Sequence, residues 1–177
     1  MTRLRFPLLR RFLRDSDGVA TVEFVLVFPI FLSFLLMSIE LGFVTMRYAL
    51  IERGLDMTVR EIRLGTGADW QHDQIKDSVC ENALFVANCK TALRLEMRPR
   101  SIRDYTSLGD AVDCTDRAEE SNPVAFQTGG ENQLMVLRAC YKYRPLFPAA
   151  LLGSTLKKDD SGDASIIAMT AFVQEPK

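Results

Sequence analysis

The chain has a single histidine, His72, and no C-x-x-C pair, which leaves little from which to build a zinc site. It has no G-x-S-x-G elbow, no P-loop and no G-x-G-x-x-G turn. Those absences argue against the common hydrolase, phosphoryl-transfer and dinucleotide-binding designs. Carboxylates are plentiful, but no spacing singles out a catalytic pair. The reading is a non-enzyme without cofactor or small-molecule substrate. The formal charge is -1 and the arginines form no single face, so no nucleic-acid partner is expected. Two further absences are local. No acid precedes Asp15, and no charge occurs from residue 24 to residue 39.

The first local absence leaves Arg3, Arg5, Arg10, Arg11 and Arg14 as an unopposed basic block. Such a block ahead of an apolar run marks a helix that starts in the cytoplasm. Arg47, Arg53, Arg60 and Arg63 follow the run, so arginine counts alone do not orient it. The second absence supplies the run itself. With residues 41–46 added, it exceeds the ~20 residues that span a bilayer. It is too long for a cleaved secretory signal, and no A-x-A-like site closes it.

Beyond Arg47 the helix is expected to continue. Ile51, Leu55, Val59 and Ile62 recur near the helical period, and Asp56 and Arg60 form an i,i+4 pair on another face. Gly65-Thr66-Gly67 supplies a stop. A helix over about 19–64 would be roughly 70 Å long. Pro29 is expected to kink it, with Gly42 and Gly54 as further weak points. The Ile51–Ile62 stripe is expected to pack on the protein's own sheet.

A second helix is expected over about 69–87, capped by Asp69, with Ile75, Val79 and Leu84 on its apolar face. Trp70 and His72 belong to its core and surface. Residues 93–98 alternate apolar and charged, which predicts a half-buried strand ended by Pro99. Residues 100–131 are polar and read as a long irregular loop. Asp110, Asp113 and Asp116 in that loop lack calcium-loop spacing. A second strand is expected over 133–144, an exposed turn over 157–163 and a last strand over 164–174, the last two paired antiparallel. The fold class is therefore α+β: a long N-terminal transmembrane helix, a second helix and a small antiparallel sheet of about three strands.

All four cysteines lie beyond the apolar run, which fits a disulfide-forming compartment such as the periplasm. Zinc is the competing reading of the same residues. Three pairings are open, of which Cys80–Cys89 with Cys114–Cys140 is favoured. In one continuous helix Cys80 and Cys89 would be about 13 Å apart along the axis, so that pairing needs the helix to end soon after Cys80.

At the junction of the basic block and the apolar run stands Gly18-Val19-Ala20-Thr21-Val22-Glu23-Phe24. A carboxylate in lipid costs roughly 2.5–3.5 kcal/mol at mid-bilayer on insertion scales. Something must offset Glu23. This stretch, the apolar run with Pro29, and Ile39-Glu40-Leu41-Gly42 resemble the TadE-like pseudopilins of tight adherence (Tad, or Flp) pilus systems, whose sibling is TadF. The lead-in from Arg10 to Gly18 and the ending Gln174-Glu175-Pro176 are also similar to theirs.

The resemblance implies cleavage after Gly18 by a prepilin peptidase in the bacterial inner membrane. Residues 1–18 would be the leader, 19–46 the membrane segment, 47–66 its extramembrane continuation and 67–177 a periplasmic domain. Glu23, followed by the aromatic Phe24, could pair with the freed Val19 amine of a neighbouring subunit and set axial register. The implied partners are the peptidase, the major pilin, a sibling pseudopilin and the inner-membrane assembly platform. The function implied is a minor pilin needed for pilus assembly or adherence.

Plainer readings exist. Glu23 could be a carboxylate at the membrane interface, and Glu40 one at the outer membrane boundary. Alternatively Glu40 and Gly42 would contact a partner helix. The runner-up function is an unprocessed, single-pass periplasmic scaffold or binding protein.

Overall fold

The computed structural model describes residues 19–64, 70–101, 112, 114 and 126–175. Helix α1, Val19–Leu64, runs 46 residues without interruption, with Pro29 inside it. Its described residues reach Leu64, and the expected Gly65–Gly67 stop lies outside the described residues. Helix α2, His72–Asn82, follows, then a single turn of helix α3, Cys89–Ala92, leading directly into strand β1, Leu93–Arg100. Strand β2 is Leu134–Tyr143, helix α4 is Leu151–Thr155 and strand β3 is Ala164–Val173. The sheet has the order β1-β2-β3 and is antiparallel throughout, with Leu95 opposite Ala139 and Cys140 opposite Ile167.

The core lies between one sheet face and the outer half of α1. Ile51, Leu55, Val59 and Ile62 are buried together with Ile75 and Val79 of α2 and Leu93, Leu95, Leu137, Ala139, Ile166 and Phe172 of the sheet. Each large side chain of this kind stabilises the fold by about 1.5–3 kcal/mol when removed from water. Between α1 and α2 the approach is close at Gly54, where an added Cβ would come within 2.6 Å of the Val79 carbonyl oxygen. Gly54 is therefore a seat for α2 and not a weak point of the helix. Beside it, Thr58 Oγ1 and Ser78 Oγ are 2.9 Å apart, and Ser78 Oγ donates to Glu61 Oε2 at 2.8 Å.

The second helix is shorter than the 69–87 expected. Asp69 lies outside the described residues, and the Gln74 side chain accepts from the Gln71 backbone N–H at the helix start. The helix ends at Asn82, and the chain turns back through Phe85 and Asn88, both with positive φ. This return brings Cys89 to Cys80, with Cα atoms 5.7 Å apart in a disulfide. Leu84, expected on the apolar face, is half exposed in the returning loop. The second disulfide joins Cys114 to Cys140, so both favoured pairings are present and the zinc reading falls.

The charged face of β1 corrects a second expectation. It is not solvated: Arg94 and Glu96, with Arg138 opposite on β2, are buried. Arg138 Nε donates to Glu96 Oε2 at 3.1 Å, and Arg98 also pairs with Glu96. Buried charges persist only when paired in this way. Cys114 is held on the same face through Cys140. Where the 100–131 stretch becomes described again, Phe126 bridges to Met97 in parallel, and Gln127 N–H donates to the Met97 carbonyl at 3.0 Å. That end of the stretch is thus paired to the sheet edge. The 157–163 turn is likewise less exposed than expected, since Asp163 is buried and Lys142 Nζ bonds Asp159.

Candidate functional site

The first half of α1 is apolar on all sides and is long and apolar enough to cross a membrane, with none of its apolar window covered by the rest of the chain. Three of its hydroxyls turn back on the helix. Ser33 Oγ donates to the Pro29 carbonyl at 2.6 Å, Ser38 Oγ to Leu35 at 2.8 Å and Thr45 Oγ1 to Leu41 at 2.9 Å. No free hydroxyl donor is therefore offered to lipid at these positions, where an unmade bond is costly.

Two carboxylates interrupt this surface, and they are treated differently. Glu23 lies one turn into the helix and is exposed, as is Phe24, whose ring stacks on Phe28 with centroids 5.0 Å apart. Gly18 lies outside the described residues, of which Val19 is the first. Glu40 is 1% exposed. Its carboxylate accepts the backbone N–H of Phe147 at 3.0 Å and of Leu146 at 3.3 Å. Glu40 is engaged by a loop of its own chain, where the sequence suggested a bare boundary position or a partner helix. At Gly42 an added Cβ would meet nothing within 4 Å, so this chain makes no close approach there.

The loop that meets Glu40 joins β2 to α4. Pro145 and Pro148 bracket Leu146 and Phe147, so that these two are the only backbone donors in the tetrapeptide. Gly153 of α4 sits against the Phe147 carbonyl so closely that a Cβ there would collide with backbone. Two turns above Glu40, the Arg47 guanidinium lies 5.8 Å from the Phe43 ring centroid and 5.0 Å from that of Tyr143. Burial and the Glu40 charge push the Tyr143 phenol up from its ordinary pKa, while Arg47 opposes them. Glu40, Arg47, Tyr143 and the 145–148 loop thus form a neck that clamps the head to the helix. Sequence reading missed this neck. The one local signal was the pair of prolines around two N–H groups, and nothing in the sequence assigns those groups to Glu40.

His72 opens α2, with Nδ1 2.9 Å from Asp73 Oδ1 and its ring edge-on to Phe126 at 5.4 Å. Trp70 packs against the core. Among the described residues no group of three or more histidine, cysteine or acidic side chains could hold a metal. Asp110, Asp113 and Asp116 lie outside them.

Fold and site define an α+β protein with one helix able to cross a membrane and a disulfide-bonded head clamped to that helix. Residues 18–60, about a quarter of the chain, match a family model described as TadE-like protein. The match takes in Gly18, Glu23, Pro29, Glu40 and Gly54 and stops before α2. No curated protein and no solved structure matches the chain.

Proposed function

We propose that this chain is a minor pilin or pseudopilin of a Tad-type pilus, cleaved after Gly18 by a prepilin peptidase. It is held in the inner membrane with its N-terminus cytoplasmic and its head periplasmic. Its work is mechanical: α1 packs among helices of the major pilin and a sibling pseudopilin at the assembly platform. Residues 1–18 act as the leader. The arginines hold the leader at the anionic cytoplasmic surface, and glycine at the junction leaves the backbone open to a protease.

The observation that carries this reading is the contrast between the two carboxylates of α1. Glu40 is satisfied inside the chain, whereas Glu23 is exposed on an apolar helix. Cleavage would free an amine at Val19, four residues from Glu23, and in a bundle that amine on a neighbour would neutralise the carboxylate. A buried pair of this kind sets register more than it adds stability. The match over residues 18–60 and the two disulfides, which suit an oxidising compartment, support the same reading.

The test is the mass of the full chain expressed with its cognate peptidase. Wild type is expected to lose residues 1–18 and Gly18→Ala to keep them. An unchanged wild-type mass would overturn the proposal in favour of a permanently anchored scaffold.

A further inference from the structure

The segment from Pro145 to Leu156 carries no charge. It is also exposed where a soluble loop would be polar: Leu151 is 62% and Leu146 46% exposed, and Pro148 and Ala149 are open as well. Its position on α1 is fixed by Glu40, and α4 packs along the same helix. Glu40 stands 21 residues after Val19, a rise of about 32 Å. The hydrocarbon layer is ~30 Å thick. A span that begins at Val19 therefore leaves the hydrocarbon at the level where this segment docks.

The backbone of the segment suits that level. Two positions are prolines without N–H, and the Leu146 and Phe147 N–H groups bond Glu40. Ala150 N–H donates to Phe147 at 3.0 Å and Ser154 N–H to Ala150 at 2.7 Å. The Ser154 and Thr155 hydroxyls bond the Leu151 and Leu152 carbonyls. Immediately after it come Lys157 and Lys158, and Lys158 Nζ reaches back to the Pro148 carbonyl at 2.8 Å. Apolar side chains, bonded backbone donors at Leu146, Phe147, Ala150 and Ser154, and adjacent lysines suit an interfacial segment, the lysines meeting anionic headgroups.

We infer that the Pro145–Leu156 segment rests in the outer headgroup layer of the membrane that α1 crosses, with Leu146 and Leu151 in the acyl boundary. It fixes the depth and tilt of the head, and Glu40 makes head and span one rigid body. The inference rests on α1 being a membrane span, and goes beyond the pilin reading.

The test places an added indole in the full chain, reconstituted in vesicles of phosphatidylethanolamine and phosphatidylglycerol brominated on the acyl chains. Wild type, with Trp70 alone, supplies the background. Leu151→Trp, or Leu146→Trp if the first fails to fold, is expected to emit to the blue and to be quenched about twofold by shallow bromines. Ser161→Trp in the neighbouring turn is expected to be unaffected. Phe31→Trp, in mid-span, is expected to be quenched by deep bromines. Quenching of Phe31→Trp without quenching at either leucine would overturn this inference and leave the span intact. A blue shift that appears only at high protein-to-lipid ratio, without quenching, would assign the patch to a second copy and overturn it too. Failure of Phe31→Trp to be quenched would overturn the membrane reading itself, and this inference with it.

Discussion

Leu26 and Leu55 stand on the same helix, yet Leu26 is 66% exposed and Leu55 1%. The outer half of α1 has apolar residues on one stripe and Arg53, Asp56, Arg60 and Glu61 elsewhere, so it covers a core and faces water. The inner half is apolar all round and covers nothing in this chain. The two halves teach that apolar content decides that a helix leaves water, while its angular distribution decides what it enters. A stripe needs one partner surface. A full apolar cylinder needs a surrounding medium, which is lipid or a bundle of like helices.

The sharpest way to break this comparison is to cut the same side chain from both halves. Leu55→Ala is expected to cost the head about 2–5 kcal/mol in denaturant unfolding in detergent, and Leu26→Ala less than about 0.5 kcal/mol. Equal losses would mean that the inner half packs on the head after all.

Next in size is the neck. Glu40→Ala leaves two backbone donors without their acceptor, at about 1–3 kcal/mol each where water is excluded. Amide exchange at Leu146 and Phe147 is expected to accelerate, and Glu40→Gln to recover part of the protection through its remaining oxygen. Unchanged exchange in Glu40→Ala would separate the two halves completely.

The glycines give a third contrast. Gly54→Ala is expected to destabilise the head by about 1–3 kcal/mol through collision with the Val79 carbonyl. Gly42→Ala meets open space and gains helix propensity, roughly 0.5–1 kcal/mol. Thermal melts of both variants check the sign.

The smallest effect is on pH. The bond from Lys142, with help from the Ser161 and Asp163 N–H groups, holds the Asp159 carboxyl below its usual range, against the opposing effect of burial. A lowered folded pKa means that the unfolded chain binds the proton first. The turn's contribution is thus complete above the unfolded value of about 3.9 and is lost as pH falls through the folded one. Melting of the head between pH 5 and pH 2, expected to lose this component in Asp159→Asn, measures it.

Several features of the fold were legible because they depend on local chemistry. The buried stripe at 51–62 and the antiparallel pairing of the last two strands follow from helical periodicity and from the turn between those strands. The disulfide pairs were half legible: three pairings were open, and the favoured Cys80–Cys89 bond required the expected 69–87 helix to end early, as it does at Asn82. The buried face of Arg94, Glu96 and Arg138 was not legible. Alternation of apolar and charged residues predicts water on one side, and only a covering segment tied through Cys140 makes it otherwise. Glu40 was half legible: its cost in an apolar helix was plain, but the groups that offset it were not.

The sequence alone determined that one helix would be too apolar for water at one end and amphipathic at the other. It did so because burial in lipid and burial in a core read different periodicities of the same side chains. Only the tertiary structure decided which carboxylate on that helix is spent within the chain. Glu40 meets N–H groups more than a hundred residues away because the end of β2 delivers the 145–148 loop to that turn of α1. A hydrogen bond needs its partner within about 3 Å, and that proximity is a property of the folded path, which no local pattern encodes.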